Sequence, residues 1–187
     1  MTASETTART SFPEARGREK GYDKQPVDEF LARARASFER GSDALTSADI
    51  RQVAFPLVRH GYAIASVDAA LGRIEDAFAA RERSSAVAAT GAREWVGHTR
   101  ELAQEVLDRL SRPAKRRFDR VSPLRYGYRI AEVDLVTDKL ARFLETGDSV
   151  TVEQVRSVAF RMQRGGYRET QVDAVLDAVV EVMLAVK

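Results

Sequence analysis

Gly-Tyr followed, after four residues, by Val-Asp occurs four times: GYDKQPVD (21–28), GYAIASVD (61–68), GYRIAEVD (127–134) and GYRETQVD (166–173). Four copies in 187 residues require a fold that uses one local structure repeatedly. The copies are of two kinds. Gly61 and Gly166 follow LTSADIRQVAFPLVRH (45–60) and VTVEQVRSVAFRMQRG (150–165), which share Arg-x-Val-Ala-Phe and set Phe55 and Phe160 six residues before the glycine. Gly21 and Gly127 instead have Phe12 and Phe118 nine residues before them. The order is A-B, middle segment, A-B. Gly21 to Gly61 spans 40 residues and Gly127 to Gly166 spans 39, so the pattern is an internal duplication.

After each Val-Asp the apolar residues step by threes and fours. The stripes are Val27, Leu31, Ala34, Phe38; Val67, Leu71, Ile74, Phe78; Val133, Val136, Leu140, Leu144; and Val172, Leu176, Val179, Met183, Val186. That period predicts helices with a narrow apolar seam, too short for an extended coiled coil and suited to a bundle. The expected helices are 24–40, 47–59, 64–83, 86–112, 131–145 and 170–186. Helix 24–40 would run about 25 Å and helix 47–59 about 20 Å back. The helices after the first two motifs then lie parallel, with both Gly-Tyr turns at one end. Trp95, Val96, Leu102, Val106 and Leu110 supply the apolar side of the middle helix, and Pro113 helps to stop it.

In this reading the fold class is all-α, a bundle of two duplicated helix-turn-helix arms and a connecting helix. The expected divisions are a disordered tail over 1–20, a first arm over 21–85, the connecting helix over 86–112 and a second arm over 113–187. The motif glycines, Gly21, Gly61, Gly127 and Gly166, suit a chain reversal because glycine adopts positive φ cheaply. Asp23, and Thr46 or Ser47, are candidate N-caps, and Pro26 is tolerated in a first turn. Asp28, Asp68, Asp134 and Asp173 fall near helix N-termini, where the helix dipole favours negative charge. Tyr22, Tyr62, Tyr128 and Tyr167 read as anchors that pack each turn onto the bundle.

Little points to chemistry. Cysteine is absent, which excludes disulfides and thiolate metal sites. The two histidines, His60 and His98, have no metal-ligand spacing, and no Gly-rich phosphate loop or nucleophile elbow occurs. A formal charge of +2 does not by itself imply nucleic acid binding. No apolar run reaches the roughly 20 residues that span a bilayer, and residues 1–20 lack the apolar stretch of a secretory leader. No enzyme activity and no cofactor are expected. One segment concentrates charge. Arg112, Lys115, Arg116, Arg117, Arg120, Arg125 and Arg129 face only Asp119 over 112–129, with Leu124 and Tyr126 among them. Such a mixture suits an anionic membrane or a partner, each cation near a lipid surface contributing about 1 kcal/mol. A solvated linker between the arms is the reading the segment favours.

LTSADIRQVAF with GYAIASVDAAL, VTVEQVRSVAF with GYRETQVDAVL, and GYDKQPVDEFL resemble the N-terminal domain of the DivIVA family of bacterial polar and septal scaffold proteins. The resemblance covers both arms. It implies a short helix, a turn and a parallel coiled coil, which in the family joins two chains. It also implies membrane binding through an aromatic and a basic residue just before Gly-Tyr. Those positions hold Glu19-Lys20, Arg59-His60, Arg125-Tyr126 and Arg164-Gly165 here, and Arg125-Tyr126 carries both residue types. The function so implied is a scaffold linked to cell division or polar growth, with protein partners. The chain is expected to be cytoplasmic, at most peripheral to the inner face of the membrane. Because each duplicated arm can bury its own stripe as an internal pseudo-dimer, a monomer or small homo-oligomer is expected, unlike the two-chain coiled coil of the family. RGGYRETQVDAVL is also similar to RecX-type helical repeats, which would imply a regulator that binds a recombinase filament.

Overall fold

A computed structural model describes residues 12–186, and these are mostly helical. They form two compact units that divide between Glu82 and Arg83.

The first unit holds β1 (Lys20–Tyr22), α1 (Lys24–Glu39), α2 (Ser47–Gln52), β2 (Leu57–Arg59) and α3 (Ile64–Thr90) as far as Glu82. Local chemistry starts the helices. The Asp23 side chain accepts from Gln25 N at 3.3 Å. Thr46 caps α2 in a reciprocal box with Asp49. Glu82 of α3 adds a carboxylate at the α2 N-terminus, accepting from Ser47 N at 2.7 Å and Ser47 Oγ at 2.6 Å.

α1 and α3 run in the same direction. Their starts meet through the motifs, while farther along Phe38 meets Phe78 at 5.3 Å. Arg81 lies over Phe78 and donates to the carbonyls of Ser37 and Ser42. Phe30, Ala34, Leu45, Ile50 and Phe78 form the core, with Val27, Tyr62 and Val67 at the motif end. Each large apolar side chain so buried contributes about 1.5–3 kcal/mol.

The second unit holds the rest of α3, then α4 (Ala92–Leu110), β3 (Tyr126–Tyr128), α5 (Ile130–Thr146), α6 (Val152–Arg156), β4 (Met162–Arg164) and α7 (Glu169–Val186). Thr151 and Gln154 form the capping box of α6. α4, expected to connect two arms, packs against both α5 and α7. Trp95, near its start, donates to Ala185 O at the end of α7, so the two helices run in opposite directions. Gly91, at φ 94, separates α4 from α3, and residues 86–90 belong to α3.

Several sequence expectations need correction. The helix expected over 47–59 ends at Gln52, and Leu57–Arg59 is a strand. Pro56 disfavours helix at the residue before it. Yet α6 stops equally early at Arg156 with no proline nearby, so tertiary contacts decide the ending. Phe55 turns inward against Tyr22 and Phe30, and Phe160 against Tyr128. Gly21-Tyr22 and Gly127-Tyr128 lie in strands rather than free turns. β1 pairs antiparallel with β2, and β3 with β4. The tail expected over 1–20 falls outside the described residues up to Ser11. From Phe12 onward it is ordered, since Phe12 stacks edge-on against Tyr62 and Ala15 N donates to Gly61 O.

Candidate functional site

In each unit the two Gly-Tyr motifs meet face to face. Tyr22 N donates to Tyr62 O at 2.9 Å and Tyr62 N to Tyr22 O at 2.8 Å. Tyr128 and Tyr167 exchange the same pair of bonds, both at 2.9 Å. The backbones approach so closely that a Cβ on Gly21 would lie 2.7 Å from the Gly61 carbonyl carbon, and one on Gly166 2.7 Å from that of Gly127. This close approach, rather than a positive φ, is what requires the glycines. The left-handed residue is the one before the motif, His60 at φ 59 and Gly165 at φ 64.

The tyrosine of the second copy in each unit then reaches across to the aspartate of the first. The Tyr62 hydroxyl donates to Asp28 at 3.2 Å, and Asp68 of the second motif acts electrostatically on Tyr22. Tyr167 donates to Asp134 at 3.0 Å, and Asp173 of the fourth motif acts electrostatically on Tyr128. Each acid is the fifth residue of its helix, past the first turn where the dipole acts most strongly, and Asp28 and Asp134 instead accept from a tyrosine. The expectation that the tyrosines anchor the turns agrees with the burial of Tyr62 and Tyr167. Burial, then Asp173, pushes Tyr128 up to about 12. Burial, then Asp68, raises Tyr22, and burial with Asp134 raises Tyr167.

The basic segment is not one surface. Arg117 is 6 % exposed and is unavailable to lipid or a partner. It donates to Arg112 O, Asp134 O and Thr137 Oγ1 and pairs with Asp138. Its backbone N–H points at the Tyr167 hydroxyl. Arg117 is therefore a structural tie across the second crossing, a correction to its candidate role. Lys115 and Arg120 are exposed, with Arg120 donating to Lys115 O. Arg112, Arg116 and Arg125 are exposed as well. The Arg161 backbone N–H donates to Glu132 at 2.9 Å and, with the Arg161 and Arg129 guanidinium groups beside it, holds its carboxyl below the usual range.

Beside the second crossing, Leu124 is 84 % exposed, Tyr126 56 % and Met162 47 %. Arg164 lies opposite Tyr126 in the ribbon, 5.6 Å from the ring centroid. The sequence singled out Leu124, Arg125 and Tyr126, placed Arg164 only as a residue before the fourth Gly-Tyr, and gave no sign of Met162. Those two join them only through the β3–β4 register. Among the described residues no helix is long and apolar enough to cross a membrane, and no group of three or more His, Cys, Asp or Glu side chains is placed to hold a metal ion.

Comparison with protein-family models, curated proteins and solved structures finds no match for this chain.

Proposed function

We propose that this protein is a non-enzymatic DivIVA-like interaction module linked to cell division or polar growth. In this reading its two duplicated helix-turn-helix arms each close as an internal pseudo-dimer with a short coiled-coil-like seam. The observation that carries it is the crossing of paired Gly-Tyr motifs with its tyrosine-to-aspartate bond, made twice between motifs of the same chain. A chain with a single motif would need a second chain to complete such a crossing. Here both partners are supplied internally, which removes much of the drive to pair between chains and favours a monomer or small homo-oligomer.

The end beside the second crossing fits peripheral contact with an anionic membrane at the cytoplasmic face. Leu124, Tyr126 and Met162 are apolar or aromatic and exposed, and Arg125 and Arg164 lie among them. Interfacial aromatic and aliphatic groups enter the headgroup boundary while cations meet lipid phosphates. Sedimentation with vesicles containing anionic lipid tests this. Binding is expected at low salt, weakening as salt rises, and lost on combined Leu124→Ser and Tyr126→Ser substitution. No sedimentation at low salt would leave a protein-only adaptor. For the cellular role, a fluorescent fusion in the native cell is expected at poles or septum. A nucleoid or uniform signal would overturn the division reading.

A further inference from the structure

The first crossing ends in a different surface. Arg18, Glu19 and Lys20 stand where the second unit has Leu124, Arg125 and Tyr126. Lys20 lies directly opposite Arg59 in the β1–β2 ribbon, where the other ribbon pairs Tyr126 with Arg164. Like charges facing each other across an antiparallel pair are destabilising. Arg16 and Arg18 are exposed in the approach to β1, and exposed His60 follows Arg59. Among the described residues none of Arg16, Arg18, Lys20 and Arg59 forms an ion pair. The carboxylate of Glu14, on the same stretch, is held by Lys24.

We infer that this cationic ribbon end docks an acidic, extended segment of a partner protein. Charge complementarity is the argument. Cations on two adjacent strands, about 5 Å apart at the backbone, are borne on side chains long enough to reach the carboxylates that recur about every 7 Å on one face of an extended peptide, and pairing with them would cancel the Lys20–Arg59 repulsion. The end offers a bilayer little to insert. Leu57 is the one large apolar side chain exposed on this ribbon, and a cation occupies the position of Leu124. The inference is independent of lipid binding at the second crossing.

The test uses the full chain and a fluorescently labelled hexaglutamate peptide, followed by anisotropy at low salt. The peptide should bind and be released as salt rises. Lys20→Glu converts the repulsive cross-strand pair to an attractive one, so the variant should melt no lower than the parent. Its affinity for the peptide should nevertheless fall at least about tenfold, and further with Arg59→Glu. Failure of the parent to bind the peptide would overturn the inference. So would equal binding by a folded Lys20→Glu protein. Loss of binding to anionic vesicles on Lys20→Glu, with no peptide binding by the parent, would assign the surface to lipid instead.

Discussion

The two crossings share a frame and differ at the rim. Gly21 faces Gly61 and Gly127 faces Gly166 through the same backbone bonds, and Phe12 and Phe118 stack edge-on against Tyr62 and Tyr167 at 5.3 and 5.4 Å. At the rim, Lys20 opposes Arg59 while Tyr126 opposes Arg164. Beneath it, Arg117 is buried against Asp134 and Asp138 in the second unit, whereas the buried ion pair of the first joins Arg51 to Glu75. Backbone geometry therefore constrains the shared part, and side chains pointing away from it are free to specialise. Mutations should separate the two classes.

The largest effect is expected from Gly61→Ala and Gly166→Ala. Each Cβ would collide with backbone of the facing motif, which cannot rotate away as a side chain can. A loss of more than about 4 kcal/mol is expected for both, read by denaturant unfolding. Gly97→Ala, in α4 with nothing near the added Cβ, is the control and should stabilise by about 0.5–1 kcal/mol. Tolerance of alanine at either motif glycine would break the shared frame.

Next in size is Arg117→Met. Removing the guanidinium leaves Asp134 and Thr137 buried without it, and a cost of about 3–5 kcal/mol is expected. Hydrogen exchange should rise at the N-terminus of α5. An unchanged unfolding midpoint would instead mean that Arg117 is solvated and belongs with the exposed cations.

Tyrosine hydroxyls come third. Tyr167→Phe removes both the donor to Asp134 and the acceptor for Arg117 N–H in a fully buried place, and should cost about 1–3 kcal/mol. Tyr62→Phe, whose Asp28 partner is only half-buried, should cost less. The same hydroxyls set an alkaline limit. Tyr128 has its value raised from 10.0 to about 12, so the folded state holds its proton where the unfolded chain has released it. Stability is therefore expected to fall as pH rises from about 10 through about 12, in step with tyrosinate absorbance.

The smallest effect sharpens the rim comparison. Lys20→Tyr gives the first ribbon the aromatic–Arg pairing of the second and should raise stability by about 0.2–1 kcal/mol. A fall in melting temperature would show that Lys20 and Arg59 do not oppose each other.

How much of this was legible in the sequence depends on range. The capping box at Thr46 and the start of α1 after Asp23 follow from side chains within a few residues of the backbone they cap. The apolar steps from Val27, Val67, Val133 and Val172 marked helices whose motif ends are buried, while Phe38 and Val186 at the far ends are exposed. Phe12 and Phe118 stood out by spacing alone, with no sign of what they would touch. Arg117 looked like its neighbours because burial leaves no mark on a run of cations.

The sequence by itself determined that Gly-Tyr-x4-Val-Asp recurs four times in two settings and that helices follow each copy. Periodicity, capping and repetition are properties of neighbouring residues, so they can be read from the order alone. Only the tertiary structure decided that Tyr62 bonds Asp28 and Tyr167 bonds Asp134, 34 and 33 residues away. It alone decided that the motif glycines serve backbone contact, that α2 and α6 stop short, and that Met162 and Arg164 complete a surface begun by Leu124. Each of these depends on which distant segments come together, and that is set by the packing of whole elements around a shared core.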